Sequence, residues 1–502
     1  MNLIKSTSYQ KLFLIILLFG LSVRLYKIDI PLLEFYPSRQ IQTAEITKNL
    51  FYDSEFLKPK VSYLGPEKKI FLLEAPIYNS IVVLTYKIFG GVNETLGRAV
   101  SVWAWLIAAF LIYSISRMFT KNIGSLTALY FYTFSPLSVL ISKSFQPDQW
   151  MITFSLAAIF TLLKWTKNKK VVYFVISSIF ASLAILTKLP AIIFLLFPLL
   201  LLILTTKLKI GRLFFLYFFV ACLPVGVWTA YGFLLKDFSG VSHSAFSVGN
   251  WFGINLFWNR QYYYNVFGFE YHLVLLPTGI LLFIVGIFQK LKPDQRFLYF
   301  WLFGVFAYFI IFNKHNMTHE YYHLPMLPIA CLFIGIACEN MWSSLIRRIS
   351  VKPSLIIFVL VAFTLITMLA PTYQRAYKPI DRFNYVIETA DVINKNTGPN
   401  DLVIGSMDAG PALVFYSQRR GWGFDVQRNK ILENFSFYGV SNMVVSDAID
   451  EVEKLRSQGA VIFASSYKNH LLLNKNFSDY MYKKYTTIAD NDNYVVFNLI
   501  EK

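Results

Sequence analysis

Three acidic residues lie where apolar segments begin or end, and carboxylates at such boundaries can take up protons or bind cations. Glu34 stands in Pro-Leu-Leu-Glu-Phe-Tyr, Glu74 in Leu-Leu-Glu-Ala-Pro, and Asp148 in Gln-Pro-Asp-Gln-Trp. Desolvation beside an apolar boundary favours the protonated carboxyl, which suits a general base near neutral pH. Glu34 and Asp148 are therefore candidate bases, and Glu74 is a candidate ligand for a divalent cation. Pairing of Glu34 with Arg39, or a stabilising position in the first turn of a helix, is the simpler alternative.

A second cluster gathers basic residues in the segment Asn-Lys-His-Asn-Met-Thr-His-Glu-Tyr-Tyr-His. It contains Lys314, His315, His319 and His323. The spacing of four predicts that the three histidines share one helical face, an arrangement that permits metal binding. Cations and imidazoles at a membrane edge also bind phosphate, which we favour over metal ligation. Anchoring of the neighbouring tyrosines in the membrane interface is a third interpretation.

Two arginines extend the set of candidate anion ligands, because a guanidinium group matches phosphate geometry. Arg98 lies near the start of the second apolar segment, and Arg260 lies in Trp-Asn-Arg-Gln-Tyr-Tyr-Tyr. The aromatic residues of 246–269 could equally form an interfacial belt or stack on a sugar.

The composition indicates that these residues belong to a membrane protein. Of the 502 residues, 56% are hydrophobic and only 15% are charged, against about 25% charged in soluble proteins. A helix that crosses a bilayer needs about 20 apolar residues. Such runs predict about eleven transmembrane helices, at 11–28, 97–117, 122–142, 150–165, 171–187, 190–206, 213–235, 272–290, 297–312, 322–343 and 354–371. The predicted fold is therefore mostly α and polytopic.

The distribution of positive charge orients these segments. Short alternate connections carry clusters such as Lys164, Lys167, Lys169 and Lys170, which the positive-inside rule places in the cytoplasm. The N-terminus is then cytoplasmic, and 29–96, 143–149, 236–271, 313–321 and the tail lie outside. The net charge of +18 is thus a topology signal, and no nucleic-acid partner is needed to explain it. Segments 40–52 and 74–90 are amphipathic and predict helices lying in the membrane interface.

The tail after the last apolar segment has a different pattern. Short β-branched runs near 402–406, 442–446 and 460–464 alternate with helical stretches such as 447–457, which predicts a small α/β domain. It contains no Gly-rich phosphate loop and no Ser-His-Asp ordering. The sequence therefore predicts a catalytic transmembrane domain over 1–371, including the loop 29–96, and an accessory or acceptor-recognition domain over 372–502.

The order and sidedness of these motifs resemble the GT-C glycosyltransferases of the protein O-mannosyltransferase and lipid A aminoarabinose transferase type. The resemblance rests on residues 11–200 and a later element. The matching pieces are Glu34 followed by Arg39-Gln40-Ile41-Gln42-Thr43-Ala44, Glu74-Ala75-Pro76-Ile77-Tyr78, Gly97-Arg98, Pro147-Asp148, Leu186-Thr187-Lys188 and His319-Glu320-Tyr321-Tyr322-His323-Leu324-Pro325. Two departures are Phe35, where family members commonly have a second acid, and Ala75, where they have Lys.

The resemblance implies a membrane enzyme that moves a sugar from a polyprenyl-phosphate carrier to an extracytoplasmic acceptor by inverting displacement. Glu34 matches the catalytic acid of the family's first loop, and Asp148 matches the acid at its fourth span. The donor phosphate is expected to meet Arg39, Arg98, Arg260, Lys314 and His315. A divalent cation (Mg, Mn or Zn) is expected at Glu74 with His319 or His323.

The main alternative is a lipid or glycan transporter or flippase without transferase activity. Such proteins usually place polar residues inside their spans near the bilayer midplane. Here the apolar segments are nearly free of charge and the polar groups cluster outside them, which favours the transferase.

Overall fold

The structure is a computed structural model that describes residues 6–204, 210–235, 251–345, 353–406, 411–426, 434–437 and 440–500. The first part of the predicted external segment 236–271 and several of the basic residues in predicted cytoplasmic connections (207, 209, 347, 348 and 352) lie outside the described residues. The chain forms two compact units, and each is described separately. The first comprises 1–29, 95–234 and 246–377, and the second comprises 30–94, 235–245 and 378–502.

Helices dominate the described residues. In chain order they are α1 (Ser6–Leu25), α2 (Pro37–Asp53), α3 (Ile77–Phe89), α4 (Glu94–Arg117), α5 (Asn122–Phe134), α6 (Pro136–Lys143), α7 (Asp148–Asn168), α8 (Val171–Thr187), α9 (Ala191–Leu204), α10 (Ile210–Leu234), α11 (Arg260–Phe269), α12 (Leu276–Ile287), α13 (Phe297–Ile311), α14 (Asn313–Thr318), α15 (Met326–Leu345), α16 (Pro353–Ala376), α17 (Val386–Asn396), α18 (Ala412–Tyr416), α19 (Val445–Ser457), α20 (Lys468–Leu473) and α21 (Lys475–Lys484). A π-helical turn spans Glu270–Val274, and 3-10 turns span Ile254–Trp258, Pro293–Gln295, Glu320–His323 and Asp381–Phe383.

The strands are short. They are β1 (Lys60–Val61), β2 (Leu64–Gly65), β3 (Lys69–Ile70), β4 (Leu402–Ser406), β5 (Arg420–Val426), β6 (Asn434–Phe437), β7 (Val440–Val444), β8 (Ala460–Ser465), β9 (Thr486–Asp490) and β10 (Val495–Asn498).

Four helices among the described residues are long and apolar enough to cross a membrane, and six spans result if two bent pairs each count as one. The four are α1, α4, most of α10 and most of α15. Helices such as α8 and α13 are apolar but shorter than a full span, and α7 carries polar residues at both of its ends. The apolar helices support a membrane protein, while the number of eleven spans stays a prediction.

Two of the predicted spans are broken. The predicted segment 122–142 is the pair α5 and α6, bent by 57° at Ser135. The predicted segment 272–290 begins within the π-helical turn and contains the 100° bend between Arg260–Val274 and α12. Pro136 and Pro277 stand in the first turn of the helix after each break, where proline is tolerated. The hydroxyl of Ser135 lies within hydrogen-bonding distance of the carbonyls of Leu273 (3.2 Å) and Val274 (2.8 Å), so the two breaks contact each other.

A buried arginine ties α1 to these helices. Arg24 is fully buried, and its guanidinium lies 3.6 Å from the ring centre of Trp105. It donates to the hydroxyls of Ser142 at 2.6 Å and Ser138 at 3.0 Å. A buried cation in an apolar segment must have its donors satisfied, so these contacts fix how α1 packs on α6. Close helix packing elsewhere in this unit uses glycine: a Cβ on Gly124 would lie 2.6 Å from the carbonyl oxygen of Gly335.

The second unit is built on a mixed sheet with the order β7-β6-β5-β4-β8-β10-β9. Strands β5, β4 and β8 are parallel, and the remaining pairings are antiparallel. Strand β2, from the loop before α3, adds to the sheet by pairing with β5, with Leu64 opposite Trp422 and Gly65 opposite Gly421. The loop around α2 and α3 therefore belongs to the same compact unit as the tail.

Apolar side chains from one layer of helices cover this sheet. Val452 and Leu455 of α19 and Phe477 and Met481 of α21 form one core with Phe463 of β8. At the edge of this layer Glu453 accepts from Lys484 at 2.8 Å, from the Tyr480 hydroxyl at 2.8 Å and from Tyr485. Burial opposes ionisation of Glu453, but these donors together lower its pKa from 4.5 to about 2. The polar cluster joins α19 to α21.

Candidate active site

The first unit contains a buried ion pair where α7 begins and α8 ends. Asp148 is the first residue of α7, directly after Pro147, and Lys188 follows the last residue of α8. The Lys188 ammonium lies 2.6 Å from Asp148 Oδ1, and the two side chains are 10% and 1% exposed. Because α7 and α8 are antiparallel neighbours joined by a short connection, the first turn of one lies beside the last turn of the other. The sequence therefore brings together two charges that are far apart along the chain.

Two aromatic rings cover this ion pair. The 3-10 turn Glu320–His323 places the ring centres of Tyr321 and Tyr322 at 4.5 and 4.4 Å from the Lys188 ammonium. A cation over the face of an aromatic ring is attracted by the ring quadrupole. Lys188 is thus held by a carboxylate and two tyrosine rings.

His315 extends the aromatic cover. Its ring stacks on Tyr322 at 4.9 Å with an interplanar angle of 23°, and His319 lies 5.6 Å from it. Burial, and then the positive charges of Lys188 and Lys314, lower the pKa of His315 to about 4. His315 is therefore neutral at pH 7, and the positive charge of this region resides on the two lysines. Such a region suits an anion.

His323 lies behind the tyrosines. Its Nδ1 is 2.9 Å from Glu270 Oε1, and its Nε2 is 2.9 Å from the backbone carbonyl of Asn316. The predicted helix across the histidines ends at Thr318, and His319 is extended with φ −126° and ψ 104°. The three histidines consequently do not share one helical face.

The other candidates of this unit occupy different environments. Arg98 is fully buried on α4, and Arg260 is the exposed first residue of α11. Lys314 is partly exposed on α14 and contributes to the field at His315. Their contacts with a phosphate stay predictions.

The second unit contains the acids of the first external loop. Glu34, 2% exposed, precedes α2, and its Oε1 accepts from the amide of Gln40 at 3.4 Å. Arg39 forms an ion pair with Glu74 and donates to Gln42 Oε1 at 2.5 Å. The structure therefore pairs Arg39 with Glu74, a contact that the sequence spacing did not indicate. The convergence of Glu34 and Glu74 on Asp148 stays a prediction.

The divalent cation expected at Glu74 with His319 or His323 stays a prediction. Glu74 is engaged by Arg39, and both ring nitrogens of His323 have protein partners. Among the described residues no group of three or more His, Cys, Asp or Glu side chains is arranged to hold a metal ion. No mechanistic step below is routed through a metal.

Sequence reasoning named Lys188 within a motif but assigned it no role, and it did not single out Glu270. Both carried a signal. Lys188 is a basic residue at the predicted outer end of a helix, against the positive-inside rule. Glu270 is an acid within the apolar aromatic run Phe-Gly-Phe-Glu-Tyr-His, and charged residues in such runs are usually paired.

Comparisons with known proteins bear on the fold of the chain. The family model for dolichyl-phosphate-mannose-protein mannosyltransferases matches residues 74–228. No curated protein matches the sequence. The structure of ArnT from Cupriavidus metallidurans in the apo state is similar with a TM-score of 0.66 and 13% identity, covering 98% of each chain. The TM-score is 0.64, with the same identity and coverage, for ArnT bound to undecaprenyl phosphate.

Two further structures share the architecture. AglB from Archaeoglobus fulgidus, an oligosaccharyltransferase in complex with an inhibitory peptide and a dolichol-phosphate, matches with a TM-score of 0.56 and 12% identity over 95% of this chain and 72% of AglB. The arabinofuranosyltransferase AftD from Mycobacteria matches with a TM-score of 0.57 and 10% identity over 98% of this chain and 40% of AftD. The predicted resemblance is confirmed: the chain has the fold of the GT-C superfamily of membrane glycosyltransferases.

Proposed function

From this GT-C fold we propose that the protein is a glycosyltransferase that takes a sugar from a polyprenyl-phosphate donor and transfers it to an extracytoplasmic acceptor. The observation that carries the proposal is the buried Asp148 and Lys188 pair beneath Tyr321 and Tyr322. ArnT bound to undecaprenyl phosphate and AglB in complex with a dolichol-phosphate support a lipid phosphate as the ligand of this fold. The proposed sugar is a hexose or a pentose, and the proposed acceptor is a protein, a lipid or a cell-surface glycan.

Lys188 is the proposed ligand of the donor phosphate. The phosphate becomes the leaving group when the bond from its oxygen to the anomeric carbon breaks, and negative charge then grows on that oxygen. A fixed ammonium in a water-poor site stabilises such charge strongly. Lys314 adds positive potential, whereas His315 adds hydrogen-bonding capacity without charge because its pKa is about 4.

Asp148 and Glu34 then have different proposed roles. Asp148 Oδ1 accepts from Lys188 at 2.6 Å, which commits that oxygen to holding the ammonium. We therefore assign Asp148 to positioning Lys188 and Glu34 to general base catalysis. Glu34 would take the proton of the acceptor hydroxyl or amine as that group attacks the anomeric carbon, and one such displacement inverts the configuration.

The proposed orientation places this chemistry on the outer side of the membrane. The N-terminus is cytoplasmic in the proposal, the loop 29–96 and the tail lie outside, and the lipid tail of the donor lies among the membrane helices. The sheet of the second unit, to which β2 and the tail both contribute, is proposed to assist acceptor recognition.

The direct test is the release of polyprenyl phosphate. Purified protein is incubated with a polyprenyl-phosphate-linked sugar and a membrane extract as the source of acceptor, and the lipid products are separated. The proposal expects polyprenyl phosphate to appear, no release with Glu34→Gln, and normal release with Glu67→Gln, which changes an exposed acid of the same loop. If lipid crosses the membrane of proteoliposomes while its sugar remains attached, the protein is a transporter and the proposal is wrong.

A further inference from the structure

The turn that carries Tyr321 and Tyr322 is held at both ends by polar contacts to other helical elements. Before the tyrosines, Glu320 Oε1 accepts from Arg375 of α16 at 2.7 Å. After them, His323 Nδ1 lies 2.9 Å from Glu270 Oε1. Between these contacts the hydroxyl of Tyr308 donates to the backbone carbonyl of Tyr322 at 2.9 Å. A four-residue turn is thus fixed from three neighbouring elements.

The inner contact, between His323 and Glu270, is the better protected of the two. The His323 side chain is fully buried and the Glu270 side chain is 11% exposed, whereas Arg375 is 41% exposed. Rings of Phe269 and Phe309 pack against the imidazole at 5.2 and 5.0 Å. An interaction between polar groups gains strength in such apolar surroundings, and removal of one partner leaves the other without a replacement.

The hydrogen-bonding roles of His323 follow from its neighbours. A backbone carbonyl can only accept, so Nε2 carries the proton that faces Asn316. Nδ1 and the Glu270 carboxyl then share one further proton between them. The imidazole is fixed in orientation by two hydrogen bonds, which leaves neither nitrogen for a metal ion.

Glu270 reaches His323 because the helical segment is interrupted at that point. α11 ends at Phe269, the π-helical turn begins with Glu270, and Leu276, the first residue of α12, has a φ of +57°. Non-glycine residues rarely adopt positive φ, and π-helical turns are concentrated at functional sites. The break therefore turns an acid from an apolar segment toward the turn that covers Lys188.

We propose that Glu270 and His323, assisted by Arg375 and Glu320, are positioning residues that hold Tyr321 and Tyr322 against Lys188 and so set the affinity for the donor phosphate. The inference rests on the proposed function, because Lys188 must bind that phosphate. Displacement of a binding group by about 1 Å can reduce a rate or an affinity by up to a hundredfold. We expect Glu270→Ala to weaken binding of undecaprenyl phosphate about tenfold or more.

Glu270→Gln is the conservative variant that separates positioning from charge. A glutamine can donate its amide N–H to Nδ1 while Nε2 still donates to Asn316, so the imidazole keeps its orientation. Binding by Glu270→Gln should stay within about threefold of the wild type. Arg375→Gln removes the outer and more exposed contact and should weaken binding about threefold. Glu339→Gln is the matched control, because Glu339 accepts from the backbone of Gly124 near the other end of α15.

The decisive measurement is a double-mutant cycle on the full chain in detergent, with undecaprenyl phosphate as the probe and melting temperature recorded in parallel. If Glu270 acts through the turn, the loss caused by Glu270→Ala should largely disappear in a Tyr322→Leu background. A merely structural role would give the same loss in both backgrounds. Equal loss in both, or wild-type binding by Glu270→Ala, overturns the inference alone. Absence of binding by the wild-type protein overturns the proposed function together with it.

Discussion

The buried pair of Asp148 and Lys188 leads to separate predictions for stability and for donor affinity, because the same ammonium is proposed to stabilise the fold and to bind the donor. Lys188→Met leaves the Asp148 carboxylate, 1% exposed, without its cation. Removal of one partner from a buried ion pair is destabilising by about 3–5 kcal/mol. Removal of both charges avoids that penalty, and a neutral pair of similar shape is often as stable as the original.

The double variant Lys188→Met with Asp148→Asn therefore separates the two effects. Its stability should return to within about 1 kcal/mol of the wild type. Its affinity for the donor should not return, because a hydrogen bond to a charged group contributes about 1.5–3 kcal/mol. That range corresponds to a Kd for undecaprenyl phosphate raised about ten- to 150-fold.

The assay is thermal unfolding in detergent together with binding of undecaprenyl phosphate to the same samples. Lys164→Met, near the other end of α7, is the control and should change neither quantity. The reasoning is refuted if the double variant is stable and binds undecaprenyl phosphate as tightly as the wild type. It is also refuted if Lys188→Met is as stable as the wild type, since Asp148 would then need no cation.

Three further predictions concern the second unit. Glu34→Gln should abolish transfer without lowering the melting temperature, whereas a variant with normal turnover would exclude Glu34 as the base. Gly421→Ala should destabilise this unit by about 2 kcal/mol or more, because φ is +147° and the new Cβ would lie 1.9 Å from the carbonyl oxygen of Val403; limited proteolysis of the tail should become faster. Glu453→Gln should reduce stability by about 1–2 kcal/mol at pH 7, after allowance for the partial exposure of the carboxylate. The folded pKa of Glu453 is about 2 rather than 4.5, so the wild type should be more stable than Glu453→Gln above pH 4.5 and should lose this extra stability as the pH falls toward about 2. Hydrogen exchange in α19 and α21 measures this difference in stability.

Much of the local structure could be predicted from composition and spacing. The β-branched runs near 402–406 and 460–464 are β4 and β8, because a strand inside a sheet needs apolar residues on both faces. The apolar segments 97–117 and 171–187 correspond closely to α4 and α8. The pairing of strands that are far apart in the sequence could not be predicted. Strand β2 contains only Leu64 and Gly65, too few residues to show a period, and its partner β5 is hundreds of residues away.

The candidate site shows the same contrast between local properties, which the sequence reveals, and long-range contacts, which it does not. Asp148 was predicted because its position at a helix start and an apolar boundary is a local property. The ion pair between Arg39 and Glu74 was not predicted, because the long, flexible side chain of an arginine can reach several acids and sequence spacing does not rank them. The predicted helical face of histidines failed for a related reason: spacing assumes a continuous helix, but α14 ends at Thr318.

Glu270 shows which kind of signal could have revealed the missing part. An acid in an apolar aromatic run is unfavourable in a membrane unless a donor meets it, so its presence requires a partner even when the partner cannot be named. His323 stands in an equally apolar setting, between two tyrosines and Leu-Pro-Met-Leu-Pro, and requires an acceptor in turn. Matching such isolated charges with each other would have suggested their contact at 2.9 Å without any knowledge of the fold. The same reasoning pairs Asp148 with Lys188, the basic residue that the predicted topology places at the outer end of a helix. Lys188 and His323 both contact the turn or belong to it, so the two pairs meet where Tyr321 and Tyr322 lie.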